Sequence, residues 1–355
     1  MTPIEPMELR SVAEIPGGAG WLYEPKWDGF RALAQRDGAE VELYSKAGQP
    51  LGRYFPEVVA ALAALPERRY AFDGELVVLD AGALSFDTLQ QRIHPAASRV
   101  AMLSKKTPAL YLAFDVLQYG ACEYRDETLE VRRAALERFA VAFGANGTLR
   151  LSPASSERAD VDAWFARVGA ALDGVVAKRL DAPYRATRGP DAVKVKQQRT
   201  ADCVIGGFRY AANAKDRVGS LLLGLYDREG LLDYIGFCSA FATPERRALL
   251  DRLRPFEGGS GFTGGAPDAA PSRWNRGRDV DRSYVALRPE LVLEVAFDQV
   301  TSGRIRHGTR PLRWRDDKPA RRCTVDQLEV SGSVMALFDL VTLSLSKRRR
   351  DVDNG

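Results

Sequence analysis

The stretch Glu24-Pro25-Lys26-Trp27-Asp28-Gly29-Phe30-Arg31 sets one lysine between two extended segments. Pro25 removes a backbone donor and biases Glu24 toward extended geometry, and Gly29 is expected to permit a tight turn, so Lys26 should sit on a short loop between strands. A lysine attacks an electrophile only as the neutral amine, so its ordinary pKa of about 10.4 must be lowered by nearby cations or by exclusion of water. Lys194 and Lys196 are candidate cations: two residues apart in Val193-Lys-Val-Lys196, they fall on one face of a strand. Glu75 and Asp173 each adjoin a glycine at a strand edge, where backbone can approach a ligand closely. Two carboxylates and several lysines suit phosphate chemistry. Magnesium on nucleotide phosphates takes only one or two protein carboxylates and keeps much of its water, while lysines neutralise phosphate oxygens during in-line transfer.

No G-x-x-x-x-G-K-[ST] run occurs, so any nucleotide must be held by side chains. Toward the C-terminus, residues 304–318 crowd arginines around Trp314, a composition suited to phosphate contacts. His94 and His307 lack any partner pattern for acid-base work or metal ligation and read as structural.

The elements that must position these groups follow from periodicity. Strands are expected at 21–24, 30–36, 40–45, 70–79, 109–117, 173–179 and 193–196, with helices at 56–65, 85–93, 128–143 and 158–172. This interleaving predicts a mixed α/β domain. The polar run Gln197-Gln-Arg-Thr200 is the expected hinge. Beyond it, strands at 203–208, 220–226, 231–238 and 291–298 with one helix at 244–253 predict a small barrel, and the Gly, Pro and Ser content of 257–278 predicts a long loop.

The 355 residues are 45% apolar and 28% charged, as expected of a soluble globular protein of two domains. A net charge of +4 allows nucleic-acid binding without requiring it. The four cysteines lack zinc-site or disulfide-framework spacing, and neither a leader segment nor a membrane span is evident, so a cytoplasmic protein in a reducing compartment is expected.

Taken in chain order, these stretches resemble the covalent nucleotidyltransferases, and in particular the ATP-dependent DNA ligases of the prokaryotic ligase C type. Residues 24–31 look like motif I, Phe72-Asp-Gly-Glu75 like motif III and Tyr111-Leu-Ala-Phe-Asp115 like motif IIIa. Asp173-Gly-Val-Val-Ala-Lys178 looks like motif IV, Lys194-Val-Lys196 like motif V and Arg315-Asp-Asp-Lys318 like motif VI. The resemblance implies an α/β (mixed α+β) nucleotidyltransferase (adenylation) domain over 1–198 and a β-barrel OB-fold domain over 199–346; the run Lys347-Arg-Arg-Arg350 by its composition makes 347–355 a disordered basic tail. The resemblance also implies ATP and a divalent metal, Mg or Mn, as cofactors, and Lys26 as the residue that becomes adenylated. Glu24 would read the adenine edge, Phe114 stack on the base and Arg31 contact the ribose and phosphate side. Glu75 and Asp173 would serve nucleotide and metal, Lys194 and Lys196 the α-phosphate, and Arg315 and Lys318 the departing pyrophosphate, with domain closure and opening between steps.

Two positions depart from the family pattern. Asp173 stands where many ligases have glutamate, so its metal contact should shift inward or run through a water. Lys46, after Ser45, replaces the usual arginine and keeps the charge without the planar fork. The chain has no room for the N-terminal DNA-binding domain of large ligases, which predicts a small, salt-sensitive grip on DNA. The expected partner is nicked duplex DNA, in repair, with possible repair or end-joining partners such as Ku; the protein is expected to be a monomer working in the cytoplasm, at the nucleoid. The rivals are an RNA ligase or capping-type nucleotidyltransferase and, in another class, a non-catalytic DNA-binding protein on the same scaffold.

Overall fold

The computed structural model describes residues 2–80, 82–143, 147–168, 171–212, 214–267, 283–301, 303–305, 308–329, 334–335 and 337–338. The basic tail, His307 and residues 268–278 of the long loop lie outside the described residues. The chain divides into two compact units, Met1–Gln197 with Val330–Gly355, and Gln198–Glu329. The second unit therefore ends earlier than residue 346. Val334, Leu337 and Phe338 are buried in a core of the first unit, with Tyr23, Trp27 and Val175.

Two sheets build the first unit. One orders the strands Arg10–Ser11, Ala192–Lys196, Gly174–Arg179 and Trp21–Pro25. The other runs Glu40–Ser45, Phe30–Asp37, Arg69–Asp80, Ala109–Tyr119 and Cys122–Glu123, with two short strands beside it. Lys26 follows the strand Trp21–Pro25 of the first sheet and precedes Phe30–Asp37 of the second. The nucleophile candidate thus lies where the chain crosses between sheets. Gly29 does not act there as a positive-φ turn residue: a Cβ at this position would fall 2.2 Å from the Leu76 carbonyl oxygen, so glycine is needed for close approach to the neighbouring strand.

Alternation along the central strand Arg69–Asp80 separates packing from chemistry. Phe72, Leu76 and Val78 enter a core with Phe55, Val58, Leu62 and Leu136, where each large side chain contributes about 1.5–3 kcal/mol of burial. Asp73 and Glu75 lie between them in the sequence and point to the other face. The helix Ala97–Lys106 was not expected from the pattern. It starts at Ala96 without a side-chain cap and buries only Val100 and Leu103.

The second unit is an antiparallel sheet ordered Leu232–Cys238, Val218–Tyr226, Arg199–Tyr210, Val292–Phe297 and Arg310–Trp314. An isolated bridge from Cys238 to Thr309, the residue before the last strand, brings the two edges of the sheet together. The helix Glu245–Leu253 covers the curl through Leu249, Leu250 and Leu253. The small barrel is thus present, and its first strand opens at Arg199, inside the run expected to be a hinge.

Candidate active site

Pairing across the first sheet sets Glu24 opposite Val176 and Val176 opposite Lys194, so one row of side chains spans three strands. Lys178 stands two residues beyond Val176 on the same face. On the second sheet Arg31 is opposite Glu75, and Glu75 opposite Leu112, two residues before Phe114. These faces enclose a cavity of about 230 Å³ whose lining includes Glu24, Lys26, Arg31, Lys46, Glu75, Phe114, Lys178, Arg188 and Lys194.

Lys26 is anchored on both sides in the chain. Its backbone N–H donates to the Gly174 carbonyl at 3.0 Å. The adjacent Trp27 donates through Nε1 to Ser152 Oγ at 2.9 Å and stacks on Phe338 with ring centroids 5.5 Å apart. Gly174 has φ +150 and a Cβ there would meet the Val195 carbonyl oxygen at 2.1 Å, so the strand pair closes only on glycine. The Lys26 amine donates to Asp173 Oδ2. The expected setting was one of cationic and acidic neighbours, with cations lowering the pKa. The group in direct contact is a carboxylate, because Asp173 precedes the strand that receives the Lys26 backbone.

At one end of the cavity Lys178 Nζ lies 2.8 Å from Glu24 Oε2, in ion-pair range though not in hydrogen-bond alignment, and 4.5 Å from the Phe114 ring centroid. Glu24 Oε1 is buried and has no hydrogen-bond partner among the described residues. Arg31 lies 5.7 Å from the same ring. Its fork donates to Asp73, Nε to Oδ1 at 3.0 Å and Nη2 to Oδ2 at 2.6 Å, while Nη1 donates to the Met7 carbonyl at 2.6 Å. Tyr184 completes the set, donating to Asp73 Oδ2 at 2.6 Å. Burial alone would make the Arg31 guanidinium a stronger acid, but the charge and hydrogen bonds of Asp73 outweigh it and hold the cation firmly.

At the other end Lys46 Nζ meets Glu8 Oε1 at 2.8 Å and Arg188 Nη2 meets Glu8 Oε2 at 3.1 Å. Burial, followed by the charges of Lys26, Lys46 and Lys196, pushes the Lys194 amine below the ordinary lysine range. Burial likewise pushes the Glu75 carboxyl up to about 8, against the pull of Lys26 and Arg31. Among the described residues no three His, Cys, Asp or Glu side chains gather into a metal cage. Glu75 and Asp173 suit instead a hard cation that draws its remaining ligands from phosphate and water.

Family models for the ATP dependent DNA ligase domain and for the ATP dependent DNA ligase C terminal region match residues 7–196 and 214–318. The chain belongs to the ATP-dependent DNA ligases. DNA ligase C2 of Mycolicibacterium smegmatis is 46% identical over 347 residues, covering 93% of this chain and 95% of that protein. DNA ligase C of Mycobacterium tuberculosis is 43% identical over 360 residues, 96% of this chain and 98% of its own. A solved structure described as "DNA binding with a minimal scaffold: Structure-function analysis of Lig E DNA ligases" shares the fold at 17% identity and a TM-score of 0.51, over 87% of this chain and 100% of its own. The protein is thus an ATP-dependent DNA ligase of the ligase C type, with a nucleotidyltransferase domain followed by an OB-fold domain.

Of the ligase residues expected from the sequence, Glu24, Lys26, Arg31, Lys46, Glu75, Phe114 and Lys194 converge on the cavity, and Asp173 reaches it through Lys26. Lys196 ends its strand outside the cavity lining. Arg315 and Lys318 belong to the second unit, where both bind Asp202. His94 accepts the Ala96 N–H at 3.1 Å through Nδ1, a structural contact. Lys178, Asp73 and Arg188 were missed. Lys178 could have been found from strand alternation with Val176, and Asp73 from its alternation with the core; Arg188 sits in a loop and carries no pattern. No helix among the described residues is long and apolar enough to cross a membrane.

Proposed function

We propose that Lys26 is the nucleotide acceptor of this ligase and that the cavity around it binds ATP. The Lys26 amine attacks the α-phosphorus, a nitrogen–phosphorus bond forms, the bond to the β-phosphate oxygen breaks and pyrophosphate leaves. The lysine-bound AMP then passes to the 5′-phosphate of a nick in duplex DNA, and the 3′-hydroxyl displaces AMP to close the strand. The observation that carries this reading is the convergence of Lys26 with Glu24, Phe114, Arg31, Glu75 and Lys194 on one cavity. Glu24 Oε1 offers a buried acceptor to the adenine amine, and Phe114 offers a ring face to the base. Arg31, held by Asp73, faces the ribose side, while Lys194 and Lys46 meet the phosphates within the cavity, and Lys196, beyond its lining, adds positive charge from the end of the same strand.

A divalent cation, Mg or Mn, held by Glu75 and Asp173 together with phosphate oxygens, would neutralise charge that develops on the phosphates. Lys26 must leave Asp173 and give up a proton before it attacks, because only the neutral amine carries the lone pair that bonds to phosphorus. Arg315 and Lys318 serve the departing pyrophosphate in the first step. The enzyme works as a monomer on nicked DNA in the cytoplasm, at the nucleoid, with Ku as a candidate end-joining partner.

Incubation with α-labelled ATP followed by mass mapping tests the assignment: one AMP on Lys26 is expected, and none on Lys26→Ala, which keeps its fold and most of its DNA binding. Label on another residue, or normal labelling of Lys26→Ala, refutes it. GTP in place of ATP, and RNA nicks in place of DNA, separate this reading from a capping-type enzyme or an RNA ligase.

A further inference from the structure

Arg315 and Lys318 share one carboxylate inside the second unit. Arg315 Nη1 donates to Asp202 Oδ1 at 3.0 Å and Oδ2 at 2.9 Å, and Lys318 Nζ donates to Asp202 Oδ2 at 2.7 Å. The other edge of the guanidinium donates to Asp317, Nε to Oδ1 and Nη2 to Oδ2, both at 2.9 Å. The two carboxylates differ in setting: the Asp202 side chain is 12% exposed and that of Asp317 68% exposed. Asp202 is also fixed through its backbone, its N–H donating to Gln327 Oε1 at 2.9 Å and its carbonyl accepting from Gln327 Nε2 at 3.2 Å. It lies on the first strand of the unit, opposite Glu294, and the Arg315 N–H is tied to the Val292 carbonyl of that same next strand at 2.9 Å.

We infer that Asp202 is a positioning residue for the first half-reaction, presetting Arg315 and Lys318 in the orientation in which they receive pyrophosphate. The inference rests on the reading of Lys26 and of these two cations given above. A long cation bound on one side to a rigid, buried carboxylate keeps its plane and its reach, whereas two free cations three residues apart repel and sample many rotamers. Without Asp202 the ordering cost is met each time pyrophosphate must be stabilised as it departs. Asp202 touches neither ATP nor DNA in this scheme; it acts through Arg315 and Lys318. Sealing of a nick that already carries AMP involves no pyrophosphate departure and so bypasses the role.

The test compares full-length wild type with Asp202→Asn in two single-turnover assays, label transfer from ATP to protein and sealing of a pre-adenylated nick. Adenylation should slow by about ten-fold or more while sealing stays within about two-fold, a split that general loss of folding cannot produce. Asp202→Glu, which keeps the charge, should recover part of the rate, and Asp202→Asn added to Arg315→Ala should slow adenylation little further. Equal slowing of both steps, unchanged or faster adenylation, or a fully additive double variant would overturn the inference. Absence of label on wild type would instead overturn the reading of Lys26 beneath it.

Discussion

The two ends of the ligase cavity hold their charges in opposite ways. Glu24 and Lys178, beside Phe114, are 3% and 5% exposed, packed between sheets and committed to each other. Lys46 and Arg188, at the other end, have side chains 55% and 63% exposed and meet on Glu8, itself partly open to solvent. A buried pair is costly to break because either partner alone is left charged and dry, while an exposed pair can be exchanged at small cost. The end we assign to the base is therefore a rigid, prebuilt surface. The end assigned to the phosphates is occupied by a carboxylate that a more highly charged anion can replace.

This contrast sets an order of effects. The largest falls on Lys178→Met, which strands the Glu24 carboxylate: about 3–5 kcal/mol of stability should disappear in denaturant titration, and adenylation at low ATP should fall with it. Glu24→Gln is next. It leaves Lys178 without its counter-charge but keeps the shape and one acceptor beside it, so stability should fall by less than in Lys178→Met, while the KM for ATP should rise about ten-fold with kcat nearly unchanged in steady-state assays. Lys46→Ala should cost less, and its effect should shrink as salt is raised from 50 to 200 mM, in those approximate bounds, when adenylation is followed across the series. Glu8→Gln comes last. Releasing Lys46 and Arg188 should lower the KM for ATP by no more than about three-fold, again measured at low salt. If Glu8→Gln proved as damaging as Lys178→Met, the distinction between a fixed and an exchangeable end would be lost.

Much of the site was legible because its residues sit in short strands whose alternation can be read. Glu75 beside Gly74, Lys194 and the Lys26 stretch declare themselves by local pattern, and each lies where strand pairing brings it to the cavity. The sequence pointed to cationic and acidic neighbours for Lys26; that the direct partner is the acid Asp173 depends on the Lys26 N–H meeting the Gly174 carbonyl across the sheet, a pairing no window of sequence contains. The Glu8 link to Lys46 and Arg188 joins three distant segments and leaves no periodic trace. The helix Ala97–Lys106 escaped because it lacks a capping side chain, and the packing of Leu337 and Phe338 with Tyr23 and Trp27 is a contact between distant segments that no local pattern announces.

Phe338, stacked on Trp27 and 4.9 Å from the Arg150 guanidinium, closes a loop in the polypeptide: the barrel is spliced into the catalytic body at Gln198 and Glu329 rather than hung from its end. A protease that cuts once at the first junction would release nothing. The two fragments would still elute together on gel filtration, because the C-terminal one carries Phe338, packed on Trp27 beside Lys26 in the first unit.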